Sequence, residues 1–197
     1  MSYQRSTIDI ETLKGCFTIT FLDYDSDNYE QYVISERINQ LQEIKEKLKK
    51  VTYFIGFNSI HFDSIVCNWL INQKETTPEK IYDAAQAVIE QDLYYDKYRP
   101  YSKYKYNSPW QNIDLFMYWS KMLRLSKKMS LKYFAVNLDM TIQEMPIHHS
   151  QETFTEKEIE EILEYNLNDC LVTKALAKKL NEQINLRFGI KKMYNLD

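Results

Sequence analysis

The sequence predicts an α/β fold in which helices flank a mixed, five-stranded sheet. Three strand-like stretches precede the first helical stretch, and two more follow, separated by helices. Strands joined directly pair antiparallel, whereas strands joined through a helix pair in parallel, so both kinds of pairing are expected. Because the 197 residues contain no internal repeat and no convincing domain boundary, we predict a single domain over residues 1–197.

Hydrophobic spacing predicts the individual elements. Alternation predicts strands over residues 7–11, 16–22, 31–34, 53–56 and 112–117. Helical spacing predicts helices over residues 35–50, 78–93 and 130–136, with Ser35 as the cap of the first and a further helix just after Asn58. The tyrosine-rich stretch from Tyr94 to Trp110 is predicted to be an ordered loop.

The last helix has the clearest start signal. Thr155 and Glu158 have the spacing of a capping box, and Phe154 can pack on Ile159 as a hydrophobic staple. The helical pattern runs to about residue 186, with a break expected near Asn168.

Cysteine usage and hydropathy bear on the compartment. The cysteines at positions 16, 67 and 170 lack the C-x-x-C spacing of a zinc site and suggest no disulfide framework, which favours a reducing environment. No signal-peptide pattern and no membrane-length apolar run is present. The expected location is the cytoplasm, or the host cytoplasm for a viral protein, with no membrane partner.

Charge is distributed unevenly along the chain. The net charge is −3, yet residues 97–138 contain nine lysines or arginines and one acid, Asp114. Four of these cations alternate with tyrosines: Lys97, Arg99, Lys103 and Lys105. Such a mixture suits single-stranded nucleic acid, since bases stack on aromatic rings while cations meet phosphates. A tyrosine-rich loop packed on its own sheet is an equally good interpretation.

Carboxylates recur at three places. Asp9 and Glu11 share one face of the first strand, Asp63 follows the fourth strand, and Asp169 lies in the last helix on the same face as Tyr165. Neighbouring buried carboxylates repel each other unless they are paired or hold a metal. Taken alone, the first two acids also fit the exposed face of an edge strand.

Together these residues form three ordered motifs. The motifs are Asp9-x-Glu11, Asn58-x-x-x-Phe62-Asp63 and Tyr165-x-x-x-Asp169. They resemble the exonuclease motifs of the DEDD superfamily of 3′–5′ exonucleases, in the tyrosine form found in proofreading domains of family A and B DNA polymerases and in RNase D. The stretch S-L-K-Y-F-A-V-N-L resembles a segment that these enzymes carry between the second and third motifs. Glu164 stands where the histidine form of the superfamily has His.

The resemblance covers about residues 5–186 and implies an RNase H-like fold. It implies hydrolysis of phosphodiesters with two divalent ions, Mg²⁺ or Mn²⁺, which prefer oxygen ligands. The implied ligands are the four acids Asp9, Glu11, Asp63 and Asp169, of which Asp9 would bridge both ions. The resemblance also implies that Tyr165 orients the attacking water. A tyrosine of ordinary pKa, about 10, is a poor general base, so ionisation of the water by the metal would supply most of the nucleophile.

The resemblance also implies substrate contacts. Thr12 and Leu13 follow Glu11 where family members touch the terminal nucleotide. Asn58 either contacts the substrate backbone or caps the next helix. Phe62 belongs to the second motif and is predicted among the substrate-binding residues, although a core position is its simplest interpretation.

Five other residues carry weaker signals. His61, His148 and His149 receive no role. Asp114 could support the metal-binding acids from behind, but a structural role is expected. Cys170 falls on the apolar stripe of the last helix and is expected in the core.

The sequence therefore predicts a metal-dependent 3′–5′ exonuclease that releases nucleoside 5′-monophosphates from single-stranded DNA. It would act alone or as the proofreading partner of a separately encoded polymerase in DNA replication. An RNase D-like exoribonuclease is the alternative enzyme, disfavoured because such proteins usually carry an extra helical domain. A catalytically silent nucleic-acid-binding module is the alternative from another class.

Overall fold

A mixed five-stranded sheet forms the centre of the molecule, as seen in a computed structural model. The structure describes residues 4–98, 108–123, 129–145 and 147–194. The strands are β1 (Gln4–Leu13), β2 (Cys16–Asp23), β3 (Tyr29–Ser35), β4 (Val51–Gly56) and β5 (Gln111–Asp114). Their order is β3-β2-β1-β4-β5, with antiparallel pairing from β1 to β3 and parallel pairing from β1 to β5. The predicted α/β class and the mixed sheet are confirmed.

Helices cover both faces of this sheet. In the described parts of the chain they are α1 (Leu41–Lys50), α2 (Asp63–Ile71), α3 (Pro78–Tyr98), α4 (Leu115–Leu123), α5 (Leu131–Asn137), α6 (Glu156–Lys179) and α7 (Asn181–Tyr194). None of these helices, as far as their residues are described, has the length and apolar character needed to cross a membrane.

Strand β1 separates the core into two sides. Ile8 and Ile10 point to one side, where they join a buried cluster with residues of α1, α2 and α3. Leu13 points to the other side and packs with Ile159 and Ile162 of α6. Since successive strand residues alternate in direction, Asp9 and Glu11 must face α6 together with Leu13.

The start of α6 follows its predicted signal. The Thr155 hydroxyl accepts a hydrogen bond from the Glu158 backbone N–H at 3.2 Å, and the Glu158 carboxylate accepts one from the Thr155 N–H at 2.7 Å. Phe154 packs against the cluster that contains Ile159. The capping box is confirmed, but the break falls at Leu180, between α6 and α7, rather than near Asn168.

Two helix starts differ from the prediction. Helix α1 begins at Leu41 instead of residue 35, because β3 stays paired with β2 through Ser35, whose hydroxyl accepts from the Ile38 N–H in a turn. Helix α2 begins at Asp63, and a turn fills the space after Asn58.

Two element ends also differ. Strand β5 stops at Asp114, whose carboxylate accepts from the Met117 N–H and so starts α4 where the sequence predicted more strand. Helix α3 continues to Tyr98, so the stretch from Tyr94 begins as helix rather than as loop.

Candidate metal centre

Strand β1 is the central strand of the sheet, and it carries the first two acids. It pairs with β2 over its whole length from Ser6 but with β4 only from Gln4 to Thr7. Beyond that point the side of β1 next to β4 is open, and Asp63, the first residue of α2, occupies it. Its Oδ1 accepts a hydrogen bond from the Ile10 backbone N–H at 3.3 Å. The edge-strand interpretation of Asp9 and Glu11 is therefore wrong.

Three carboxylates converge between β1 and α6. Asp9, Glu11 and Asp169 each offer one oxygen, and these three oxygens lie within 4.8 Å of one another. All three side chains are partly buried. Asp63 is not a member of this group of three, but its charge is the largest electrostatic contribution to the raised pKa of Asp9, so it borders the group. The structure thus brings together residues of all three motifs.

The floor of the cluster is polar although it is buried. Thr20 pairs with Asp9 and Thr18 with Glu11 across the antiparallel ladder, and both threonines are fully buried. Asn166 of α6 donates from Nδ2 to Asp9 Oδ2 at 2.6 Å. These three described neighbours of Asp9 and Glu11 are therefore polar and uncharged.

Burial and mutual repulsion raise the pKa values of the acids. Desolvation is the largest cause for each of them, followed for Asp9 by the charges of Asp63, Glu11 and Asp169. The pKa of Glu11 is also raised, with Asp169 as its strongest charged neighbour. The pKa of Asp63 rises to about 7 and that of Asp169 to about 6.

The described part of the chain supplies no direct counter-charge for these acids. Among the side chains that the structure describes, no lysine or arginine forms an ion pair with any of the four acids. Lys132 lowers the pKa of Asp169 somewhat, but its own ion pair is with Glu144.

Tyr165 lies at the rim of the cluster. Its hydroxyl hydrogen-bonds to Asp169, one helical turn further along α6. Burial, and then the charges of Asp169 and Glu11, raise the pKa of Tyr165 well above its ordinary value. The phenol therefore remains protonated at neutral pH and can act as a hydrogen-bond donor, not as a base.

Asp114 organises the loop that leads to Asp63. This buried carboxylate accepts from the backbone N–H groups of Asn58 at 3.0 Å and Ile60 at 2.9 Å. Asn58 has a positive φ of 62°, a conformation that asparagine tolerates better than most residues. The structural role predicted for Asp114 is confirmed. The capping role considered for Asn58 is wrong, since α2 begins five residues later, after Phe62.

The predicted substrate-binding residues have different surroundings. Leu13 is fully buried in the core beside α6, which gives it no exposed surface for a substrate contact. Thr12 is buried at 9% exposure, on the face opposite to Glu11. Phe62 is partly buried and packs against the core cluster of α1 to α3, which is the core position expected for it.

The basic substrate surface stays a prediction. Arg99, Lys103 and Lys105 lie outside the described residues, and Lys97 falls in the last turn of α3, where only the backbone course is described.

Cys170 is buried and contacts the backbone carbonyls of Thr7 and Thr20, so its expected core position is confirmed.

The histidines lie outside the group of acids. His61 contacts Met117, and His148 contacts Ser150 in the loop before α6.

Sequence reasoning missed two amide side chains. Asn166 contacts Asp9, and Gln31 donates to the Leu163 carbonyl of α6 at 2.7 Å and to the Thr20 hydroxyl at 3.0 Å. Asn166 stands three residues before Asp169 and so on the same face of the helix, a spacing that would have indicated it. No comparable signal in the sequence marks Gln31.

The donor set suits a hard divalent cation. Mg²⁺ and Mn²⁺ prefer carboxylate oxygens, and a bound cation would favour the ionised form of acids whose pKa values are raised first by burial and then, for Asp9, Glu11 and Asp63, by neighbouring charges. Comparisons of the chain with protein families, with characterised proteins and with solved structures found no match.

Proposed function

We propose that the protein is a metal-dependent 3′–5′ exonuclease with an RNase H-like fold. The observation that carries the proposal is the convergence of Asp9, Glu11 and Asp169 within 4.8 Å. Its support comes from the order of the three motifs along the chain and from a strand order compatible with that fold. Single-stranded DNA is the proposed substrate and nucleoside 5′-monophosphates are the proposed products.

Asp9, Glu11 and Asp169, with Asp63 beside them, would hold two divalent cations. Bound Mg²⁺ or Mn²⁺ supplies a hydroxide at neutral pH and charge stabilisation for the leaving 3′ oxygen. The four carboxylates provide the negative charge that binds such ions, and burial keeps competing water away from them.

Tyr165 is proposed to orient the attacking water. Because its phenol stays protonated and already contacts Asp169, it can donate a hydrogen bond or accept one from a water beside that carboxylate. It does not remove the proton, since its raised pKa makes the phenolate inaccessible near neutrality.

Replacing this hydroxyl tests its role. Tyr165→Phe is expected to slow cleavage about tenfold to a hundredfold, the effect of losing one oriented hydrogen bond of about 1.5–3 kcal/mol. Its affinity for Mn²⁺ should stay within about twofold of the wild-type value, because no metal ligand is removed. An unchanged cleavage rate would exclude Tyr165 from the reaction.

The proposed function is tested with labelled oligonucleotides. Purified protein is incubated with single strands of DNA and of RNA, each labelled at the 3′ or the 5′ end, in Mn²⁺, Mg²⁺ or EDTA. We expect metal-dependent shortening from the 3′ end and release of mononucleotides, faster with DNA.

Each alternative outcome has a distinct meaning. Faster shortening of RNA would support an RNase D-like exoribonuclease instead. Binding of the strands without shortening would support the silent binding module. Asp9→Asn serves as the matched control for contaminating nucleases, because it keeps the shape of the side chain and removes its charge.

A further inference from the structure

Asn166 occupies an unusual position for an amide side chain. It is fully buried beneath α6, between the helix and the sheet. Its Nδ2 donates to Asp9 Oδ2 at 2.6 Å, whereas its Oδ1 is buried without a hydrogen-bond partner among the described residues. Burying an unsatisfied amide oxygen costs stability, so an apolar residue would serve packing at this position better.

The contact is directional. In the ionised form that would bind a cation, the Asp9 carboxylate only accepts hydrogen bonds, so the amide nitrogen is the end of Asn166 that suits it. The bond engages Oδ2 of Asp9 and restricts rotation of its carboxylate. Asp9 is also one of the three acids whose carboxylate oxygens lie within 4.8 Å of one another. The orientation of the most crowded acid is therefore set from α6, the helix that also supplies Asp169.

We propose that Asn166 is a positioning residue for the metal centre. It holds the Asp9 carboxylate in the orientation in which Asp9, Glu11 and Asp169 can share a cation. This inference rests on the proposed metal centre. Groups that orient metal ligands in this way typically change metal affinity tenfold to a hundredfold when they are removed.

Gln31 provides a matched control for a purely structural role. Its amide also joins the sheet to α6, by donating to the Leu163 carbonyl and to Thr20, but it touches none of the four acids. A variant of Gln31 therefore loses an amide contact under the same helix without freeing Asp9. If Asn166 only docked the helix, variants at the two positions would affect metal binding alike.

The experiment compares the full-length wild type with Asn166→Leu and Gln31→Leu. Affinity for Mn²⁺ is measured by calorimetry and by electron paramagnetic resonance of free Mn²⁺, and unfolding is followed by urea titration in EDTA. We expect about a tenfold to hundredfold increase in the Mn²⁺ dissociation constant for Asn166→Leu. For Gln31→Leu we expect less than about a threefold increase, because the ligands keep their orientation.

Each result decides a different question. Cooperative unfolding of Asn166→Leu with wild-type Mn²⁺ affinity would overturn the inference, as would equal losses of affinity in both variants. If Asn166→Leu does not fold, Asn166→Ser is measured in its place, because a serine hydroxyl is too short to reach Asp9 and the same loss is expected. Wild-type protein that binds no Mn²⁺ would overturn the metal centre and this inference together. Mn²⁺ binding without shortening of any strand would contradict only the nuclease activity.

Discussion

The two faces of strand β1 show opposite relations between burial and stability. On one face, Ile8 and Ile10 are almost completely buried in an apolar cluster with α1, α2 and α3. On the other face, Asp9 and Glu11 lie among polar groups beneath α6, and their pKa values are raised. Residues that are neighbours in sequence therefore experience very different environments.

The difference indicates which side maintains the fold and which serves the site. Burial of an isoleucine contributes about 1.5–3 kcal/mol to stability, whereas an uncompensated buried carboxylate reduces it. A strand built for stability alone would carry apolar residues at both positions. The two acids therefore lower the free energy of unfolding of the metal-free protein, and a bound cation would raise it again. The predictions below test this contrast, beginning with the largest expected effect.

Removing a carboxylate should affect activity far more than stability. Asp9→Ala is expected to lower metal-dependent shortening of a 3′-labelled strand by about a thousandfold, which corresponds to about 4 kcal/mol. In EDTA, the free energy of unfolding should change by no more than about 1 kcal/mol, because relief of the repulsion offsets loss of the Asn166 contact. Activity retained by a folded Asp9→Ala protein would refute the site.

Replacing the neighbouring isoleucine should affect stability far more than metal binding. Ile8→Ala leaves a cavity in the apolar cluster and is expected to lower the free energy of unfolding by about 2–5 kcal/mol, measured by urea titration. The dissociation constant for Mn²⁺ should stay within about twofold of wild type at temperatures where the variant is folded. A large loss of Mn²⁺ affinity without loss of stability would show that the two faces are not independent.

Stability of the metal-free protein should depend on pH through the buried acids. The pKa of Asp63 is about 7 and that of Asp169 about 6 in the folded chain, against an ordinary value of 3.8. Between about pH 4 and pH 7 the folded state therefore binds more protons than the unfolded state, so stability decreases as the pH rises. Each extra proton contributes a slope of up to about 1.4 kcal/mol per pH unit.

The slope is best measured as a difference between wild type and Asp63→Asn in EDTA. Other groups make stability increase with pH, such as Glu30, whose pKa is lowered by hydrogen bonds from Lys47 and Tyr32. Their contributions are the same in both proteins and cancel in the difference. We expect the wild type to lose more stability than Asp63→Asn from pH 4 to 7, and saturating Mn²⁺ to abolish that difference. An identical pH dependence of the two proteins would contradict the shifted pKa of Asp63.

Local patterns predicted much of the fold. Alternation identified the strands, and the capping box of Thr155 and Glu158 identified the start of α6, because both signals depend on residues near each other in the chain. The alternation also correctly put Asp9 and Glu11 on one face. That β1 lies in the middle of the sheet was not visible in its own residues, since pairing partners are supplied by distant segments.

The errors arose where distant contacts decide the structure. Ser35 has the chemistry of a helix cap, but strand pairing with Cys16 keeps it in β3. The apolar run after Asp114 suits strand or helix equally well until the Asp114 carboxylate binds the Met117 N–H. Asn166 reaches Asp9, a residue 157 positions away. Only the folded chain brings this pair together.

Removing the N-cap of α6 should have the smallest effect of these substitutions, and it should change only the free energy of unfolding. Thr155→Ala removes the acceptor for the Glu158 N–H and is expected to lower the free energy of unfolding by about 1 kcal/mol. Thr153→Ala is the matched control, because Thr153 is exposed, and a change within about 0.5 kcal/mol is expected. Mn²⁺ affinity should not change, since fraying stays within the first turn and Tyr165 lies about two and a half turns from the start of α6 at Glu156. Lower Mn²⁺ affinity in Thr155→Ala would mean that α6 moves as a rigid body and that the acid face depends on its far end.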